Sequence, residues 1–153
     1  PPDPAGWERV KQEERGAAGA AGAAGGVLGG LPRTLPPLLM AFRLQERAAG
    51  VGFDWPSAQG PLAKVKEETA ELERELRAAT PEALADELGD LLFAVVNLAR
   101  KLAIDPRAAL ERANRKFARR FTALERLAAE RGVQIGRASM AELDRLWDDV
   151  KAE

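Results

Sequence analysis

Two acidic pairs have the residue types and spacing that most suggest chemistry. Glu68 and Glu71 lie in KVKEETAELERE, directly after Glu67, and Glu87 and Asp90 lie in DELGDLLF. Each pair has an i, i+3 step, which on a helix puts both carboxylates on one side. Four such acids on two neighbouring helices would form an oxygen cage for a hard divalent cation such as Mg²⁺, which takes a few carboxylates together with water and phosphate oxygens. One pair alone reads best as ordinary surface charge, because Glu is a common filler of helix surfaces. The second pair, together with Lys116 and Arg120 at i, i+4 farther along the chain, brings the metal cage level with that bland reading.

The composition narrows the alternatives. The chain has neither His nor Cys. That excludes imidazole and thiolate metal sites, Ser-His-Asp and Cys-His catalysis, and disulfides. Any hydrolytic chemistry must therefore run on carboxylates. With 31% charged residues and a net charge of −1, nothing favours nucleic acid or a membrane surface as a partner. No stretch approaches a membrane span, and PPDPAGWERV lacks the apolar core of a signal peptide, so a cytoplasmic protein is the default expectation. The start without Met reads as a piece of a longer chain.

Several helices must position the acids. Residues 1–33, with GAAGAAGAAGGVLGG, read as a flexible connector, and residues 34–153 as one all-α domain of four to five helices. Thr34 is expected to cap a first helix, with Pro36 and Pro37 in its opening turn, a face of Leu35, Leu38, Leu39 and Phe42, and Gly50 at its end. VGFDWPSAQGP is a loop in which Phe53 and Trp55 pin the chain to the core, in preference to a ligand contact by Trp55. A second helix over about Gly60 to Ala79 carries the stripe Leu62, Val65, Thr69, Leu72 and Leu76. Glu68 falls roughly 80° from the centre of that stripe and Glu71 roughly 140°.

Thr80 and Pro81 open a third helix with the stripe Leu84, Leu88, Leu91, Val95, Leu98 and Leu102, flanked by Glu87, Asp90 and, two turns on, Asn97. Leu92, Phe93 and Val96 make this helix apolar almost all round, which predicts a central, well-covered position. Asp105-Pro106 opens a fourth helix running to about Arg131 before Gly132, with the stripe Leu110, Ala113, Phe117, Phe121, Leu124 and Ala128. Ser139-x-x-Glu142 is a capping box for a last helix built on Met140, Leu143, Leu146, Trp147 and Val150. Apolar surface left over on the second and third helices predicts a homodimer.

Glu67-Glu68-x-x-Glu71 followed by Glu87-x-x-Asp90 resembles the signature of the MazG family of all-α nucleoside triphosphate pyrophosphohydrolases. VGFDWP, KVKEE, ELGDLLFAVVNLARKL, ANRKFARRF and LDRLWDDVK are similar in order to the C-terminal catalytic domain of that family, over about Leu31 to Lys151. The resemblance implies hydrolysis of NTPs or dNTPs to monophosphate and pyrophosphate in nucleotide-pool house-cleaning. It implies Mg²⁺, with Mn²⁺ as a substitute, on Glu68, Glu71, Glu87 and Asp90, with Glu67 completing the motif. Lys64, Lys116, Arg119 and Arg120 would contact the triphosphate, and Trp147 the nucleobase. On the residues alone Trp147 reads as core first, and nothing spells out base selectivity, so broad specificity is expected. Two other readings stay open: a related hydrolase restricted to one non-canonical nucleotide, and a helical nucleotide-binding or dimerisation module without turnover.

Overall fold

The computed structural model describes residues 26–77 and 80–153. Among them there are five α-helices and no strand, so the all-α expectation holds. The helices are α1 (Pro37–Gly50), α2 (Gln59–Glu75), α3 (Pro81–Lys101), α4 (Pro106–Glu130) and α5 (Met140–Ala152). No described helix is long and apolar enough to cross a membrane. The chain divides into two compact units, one ending at Arg107 and one running from Ala108 to Glu153.

In the first unit α3 packs against both α2 and α1, and α1 also meets a 3-10 turn at Gly26–Leu28. The connector expected over residues 1–33 lies outside the described residues as far as residue 25. From Gly26 onward the backbone is tied to α1, because the buried Arg47 guanidinium donates to the Val27 carbonyl at 3.2 Å and the Gly29 carbonyl at 3.0 Å.

Local chemistry sets most helix ends. Thr80 caps α3, its hydroxyl accepting from the Ala83 N–H at 3.2 Å, and Pro81 follows with its φ preset for the first turn. Ser139 and Glu142 form the anticipated capping box of α5. Thr34 does not cap α1; that helix starts at Pro37 after Pro36, with no side-chain cap. Gly50 is the last helical residue of α1, and the turn-off falls at Gly52, φ 92°, where the Phe53 and Gly52 N–H groups donate to the Ala48 and Ala49 carbonyls. Gly132, φ 69°, ends α4 with the same pair of bonds. After α3 that left-handed position is held by Ala103 at φ 57°.

The stripes of the first unit are displaced from their expected faces. On α2, Leu62, Thr69 and Leu76 are exposed, whereas the packed line runs through Pro61, Lys64, Glu68, Glu71 and Glu75. Glu68, placed by the sequence at the edge of the packed face, is 8% exposed and at its centre. On α3 the buried residues are Ala94 and Val96, and Leu88, Leu92, Phe93, Val95 and Leu102 face outward. Among the described residues of the first unit, the α3 that its composition predicts to be well covered packs mainly on α1 and α2. Trp55 is 43% exposed and lies over Gly60, where even a methyl group would collide with the indole. That contact fixes the loop before α2.

In the second unit Leu124 and Ala128 of α4 and Leu146 and Val150 of α5 form a buried apolar core, with Leu143 and Trp147 packed against it. Leu110, Phe117 and Phe121, in the first two-thirds of α4, remain exposed.

Candidate active site

The packing of α2 on α3 brings the acids together. Glu68, Glu87 and Asp90 each present a carboxylate oxygen, and these oxygens lie within 4.8 Å of one another. Glu68 is buried, Glu87 half-buried and Asp90 exposed, so the cluster opens from the helix interface toward solvent. A trio of like charges at this spacing repels itself. Glu87 shows it: its pKa is raised above the ordinary carboxylate value, first by burial and then by the charges of Glu71, Asp90, Glu68 and Glu75.

Two cations adjust the cluster from α2. Lys64 donates to Glu68 at 2.9 Å and to Glu67 at 3.1 Å, and these contacts raise its pKa, the Glu68 bond most. Arg74 pairs with Glu71 one turn along the same helix. Of the four expected acids, Glu68, Glu87 and Asp90 come together in this cluster, and Glu71 lies beside it, paired with Arg74. Glu67, on the open side of α2, touches Lys64 alone among the described residues.

An oxygen-only donor set at this spacing fits a hard divalent cation. It does not suit softer metals, which favour nitrogen or sulfur.

The remaining expected site residues belong to the second unit. Lys116 and Arg119 line a basic concavity on α4 with Arg112 and Arg115, and Arg120 lies half-buried beside it. None of these five cations makes an ion pair among the described residues. The Trp147 ring meets Phe117 at 5.6 Å between centroids, and Phe117 stacks on Phe121 at 5.8 Å. Trp147 thus has the core role that its helical position indicates.

Sequence reasoning missed two polar features of the first unit. Asp54 accepts from Arg100 at 2.5 Å and from Lys101 at 3.1 Å. Burial alone would raise its pKa, but these bonds and the Trp55 N–H pull it down to about 2. Gln45 is 6% exposed, yet its Oε1 has no hydrogen-bond partner among the described residues. The signal for Asp54 was its place between two aromatic residues; Gln45 gave none.

Residues 57–123 match the MazG nucleotide pyrophosphohydrolase domain. That stretch holds all the acids and Lys64, Lys116, Arg119 and Arg120, but not Trp147. The chain is 42% identical over 151 residues to the nucleoside triphosphate pyrophosphohydrolase of Escherichia coli, a match covering 97% of this chain and 56% of that protein. It is 39% identical over 145 residues to the nucleoside triphosphate pyrophosphohydrolase/pyrophosphatase MazG of Thermotoga maritima, covering 95% of this chain and 54% of that one. It is also 40% identical over 148 residues to the uncharacterized protein YabN of Bacillus subtilis, covering 96% of this chain and 29% of YabN. The chain thus spans about half the length, or less, of these curated relatives. Residues 57–123, which enclose the whole acidic cluster, thus form a MazG nucleotide pyrophosphohydrolase domain.

Proposed function

We propose that this chain hydrolyses nucleoside and deoxynucleoside triphosphates to monophosphate and pyrophosphate at the α2–α3 acidic cluster, with Mg²⁺ as cofactor. One observation carries the reading: Glu68, Glu87 and Asp90, from two helices, converge within 4.8 Å around a shared point. The names of the Escherichia coli and Thermotoga maritima relatives agree with it.

In this reading Glu68, Glu87 and Asp90 hold the ion, and Mn²⁺ replaces it. A bound divalent cation supplies neutralisation of phosphate charge and a more acidic water. The protein does the rest. Lys64 fixes the Glu68 carboxylate by its 2.9 Å contact and presents positive charge beside the phosphates. Glu71, next to the trio but outside it, is the carboxylate left to accept the proton of the attacking water. Water adds its oxygen to the α-phosphorus, the α–β bridge breaks, and pyrophosphate departs with the bridging oxygen. The resemblance also assigns triphosphate contacts to Lys116, Arg119 and Arg120, which lie on α4 of the second unit. Glu67 holds Lys64 in place. A nucleobase contact by Trp147 is what the family resemblance implies.

Broad specificity, a house-cleaning role and a cytoplasmic setting follow as part of the same reading. So does a homodimer, favoured by Leu62 on α2, Leu88, Leu92 and Val95 on α3, and Leu76 and Leu102 just past the ends of those helices, all exposed.

The test is an assay of the purified chain with each NTP and dNTP, with Mg²⁺ or with EDTA, measuring pyrophosphate and monophosphate together. Equimolar products that EDTA abolishes are expected across the panel. Turnover of a single nucleotide would give a specialised hydrolase, and no turnover by a folded, helical protein would leave a binding module.

A further inference from the structure

The outward face of α4 carries a charge pattern that the acidic cluster does not use. This helix has seven basic side chains against three acidic ones, in a chain whose net charge is −1. Such asymmetry within one element marks a surface for an anionic partner. Arg112, Arg115, Lys116 and Arg119 line a concavity of about 320 Å³ there, and among the described residues they are its whole wall. Their spacing is i, i+3, i+4 and i+7, a continuous patch covering about 10 Å of the helix axis. At about 100° per residue, the patch centres roughly 160° from the line of Phe117, Phe121, Leu124 and Ala128. Leu124 and Ala128 belong to the buried core of the second unit, so the four cations face away from it, exposed.

Cations on a helix surface are ordinarily matched by acids one turn away, and α2 shows the ordinary case. There Lys64 pairs with Glu67 and Glu68, and Arg74 with Glu71. On α4 the neighbours one turn apart are like charges. Arg112 has Arg115 and Lys116 beside it, and Arg119 has the same two on its other side. Glu111, one turn before Arg115, makes no ion pair with it. Four like charges at this spacing repel one another, and an anion with several charged oxygens would relieve all of these contacts together.

The wall also limits the ligand. It offers only charged donors, three of them guanidinium forks that match phosphate oxygens in pairs. It has no acceptor and no ring, and Phe117 and Phe121 lie on the other side of the helix, so nothing there stacks on a base. A concavity of this volume suits a small ligand in place of a strand. These features favour a condensed phosphate, compact and multiply charged.

We propose that Arg112, Arg115, Lys116 and Arg119 form an accessory site for a condensed phosphate such as pyrophosphate. The resemblance gives Arg112 and Arg115 no role, and the site needs no divalent cation. Its ligand chemistry is that of the proposed product, but binding there is independent of the acidic cluster.

The test is titration calorimetry of the whole chain with pyrophosphate, sulfate and oligothymidylate, in EDTA at low salt. EDTA withholds the metal on which the acidic cluster would depend. Pyrophosphate is expected to bind at least about tenfold more tightly than sulfate, and about tenfold less tightly to Arg112→Gln/Arg115→Gln. Both positions are exposed, and circular dichroism checks that the variant keeps its helix content. Its ATP hydrolysis with Mg²⁺ should be unchanged. No pyrophosphate binding by the wild type would overturn the proposal, and so would affinity that survives the double substitution. Affinity equal to that for sulfate would leave an unselective cationic face, and tighter binding of oligothymidylate a nucleic-acid surface; either result overturns it. A parallel loss of ATP turnover in the variant would put both arginines in the active site, which also overturns it. A chain that shows the binding and its loss, but releases no pyrophosphate from ATP, would sink the catalytic reading and leave this site standing.

Discussion

The two units differ in the polar residues they bury. In the second, the interior is Leu124, Ala128, Leu146 and Val150, and the cations of α4 lie outside. In the first, Gln45, Arg47 and Glu68 are buried while Leu76, Leu88, Leu92 and Val95 are exposed. The second unit is folded by its apolar face in the usual way. The first buries Ala94 and Val96 on α3 but also sets carboxylates in its α2–α3 interface and leaves several large apolar residues outside. That difference sets repelling acids close together at the α2–α3 interface, the arrangement on which the proposed metal site rests.

The contrast can be broken first by removing apolar side chains. Leu146→Ala should destabilise the second unit by about 2–5 kcal/mol, because Leu146 is 3% exposed and leaves a cavity. Leu92→Ala, at a residue 58% exposed, should stay within about 0.5 kcal/mol in the isolated chain. Its effect should appear instead as weaker self-association in sedimentation. Chemical denaturation of both variants checks the pair, and a large loss from Leu92→Ala at low concentration would contradict the difference.

The acids give the next effect. Mg²⁺ at a hundredfold excess over its Kd should stabilise the wild type by about 2.7 kcal/mol in a thermal melt. Glu87→Gln should abolish that gain. It should also raise the metal-free midpoint at neutral pH, because the raised pKa of Glu87 marks a charge that the fold disfavours above the ordinary carboxylate range. A lower metal-free midpoint would argue that the cluster is not strained by repulsion.

Smaller effects are local. Ala103 occupies at φ 57° the position that Gly52 and Gly132 take after α1 and α4. Ala103→Gly should therefore stabilise the first unit by about 1 kcal/mol, measured by the shift in denaturation midpoint. Asp54 has a folded pKa of about 2 against an ordinary 3.8. Its contribution is present above about pH 4 and is lost as pH falls toward 2. Asp54→Asn should flatten the stability profile in that window and lower stability by a constant amount above pH 5.

The same difference explains what could be read from the sequence. Thr80, Pro81, Ser139, Glu142 and Gly132 announced their helix ends because caps and turn glycines act through adjacent backbone. Leu124, Leu146 and Val150 announced the second core because periodicity tracks burial wherever burial is apolar. Glu68 was misplaced for the converse reason. A stripe analysis centres on Leu62 and Leu76, and an acid at the centre of a packed face breaks the rule on which it relies. Gln45 left no trace, since its role depends on a carbonyl 48 residues away. Ala103 escaped notice because the left-handed position it fills ordinarily calls for Gly.

The most direct test of the account is pyrophosphate release from ATP by the wild type and by Asp90→Asn, at millimolar Mg²⁺, with helix content of both checked by circular dichroism. Asp90 is exposed and carries no packing, so the variant should fold as the wild type does. The account predicts that its release rate falls by about a hundredfold or more, as expected when charge stabilisation at the transferring phosphoryl group is lost. A folded Asp90→Asn protein that turns over ATP at the wild-type rate would contradict it.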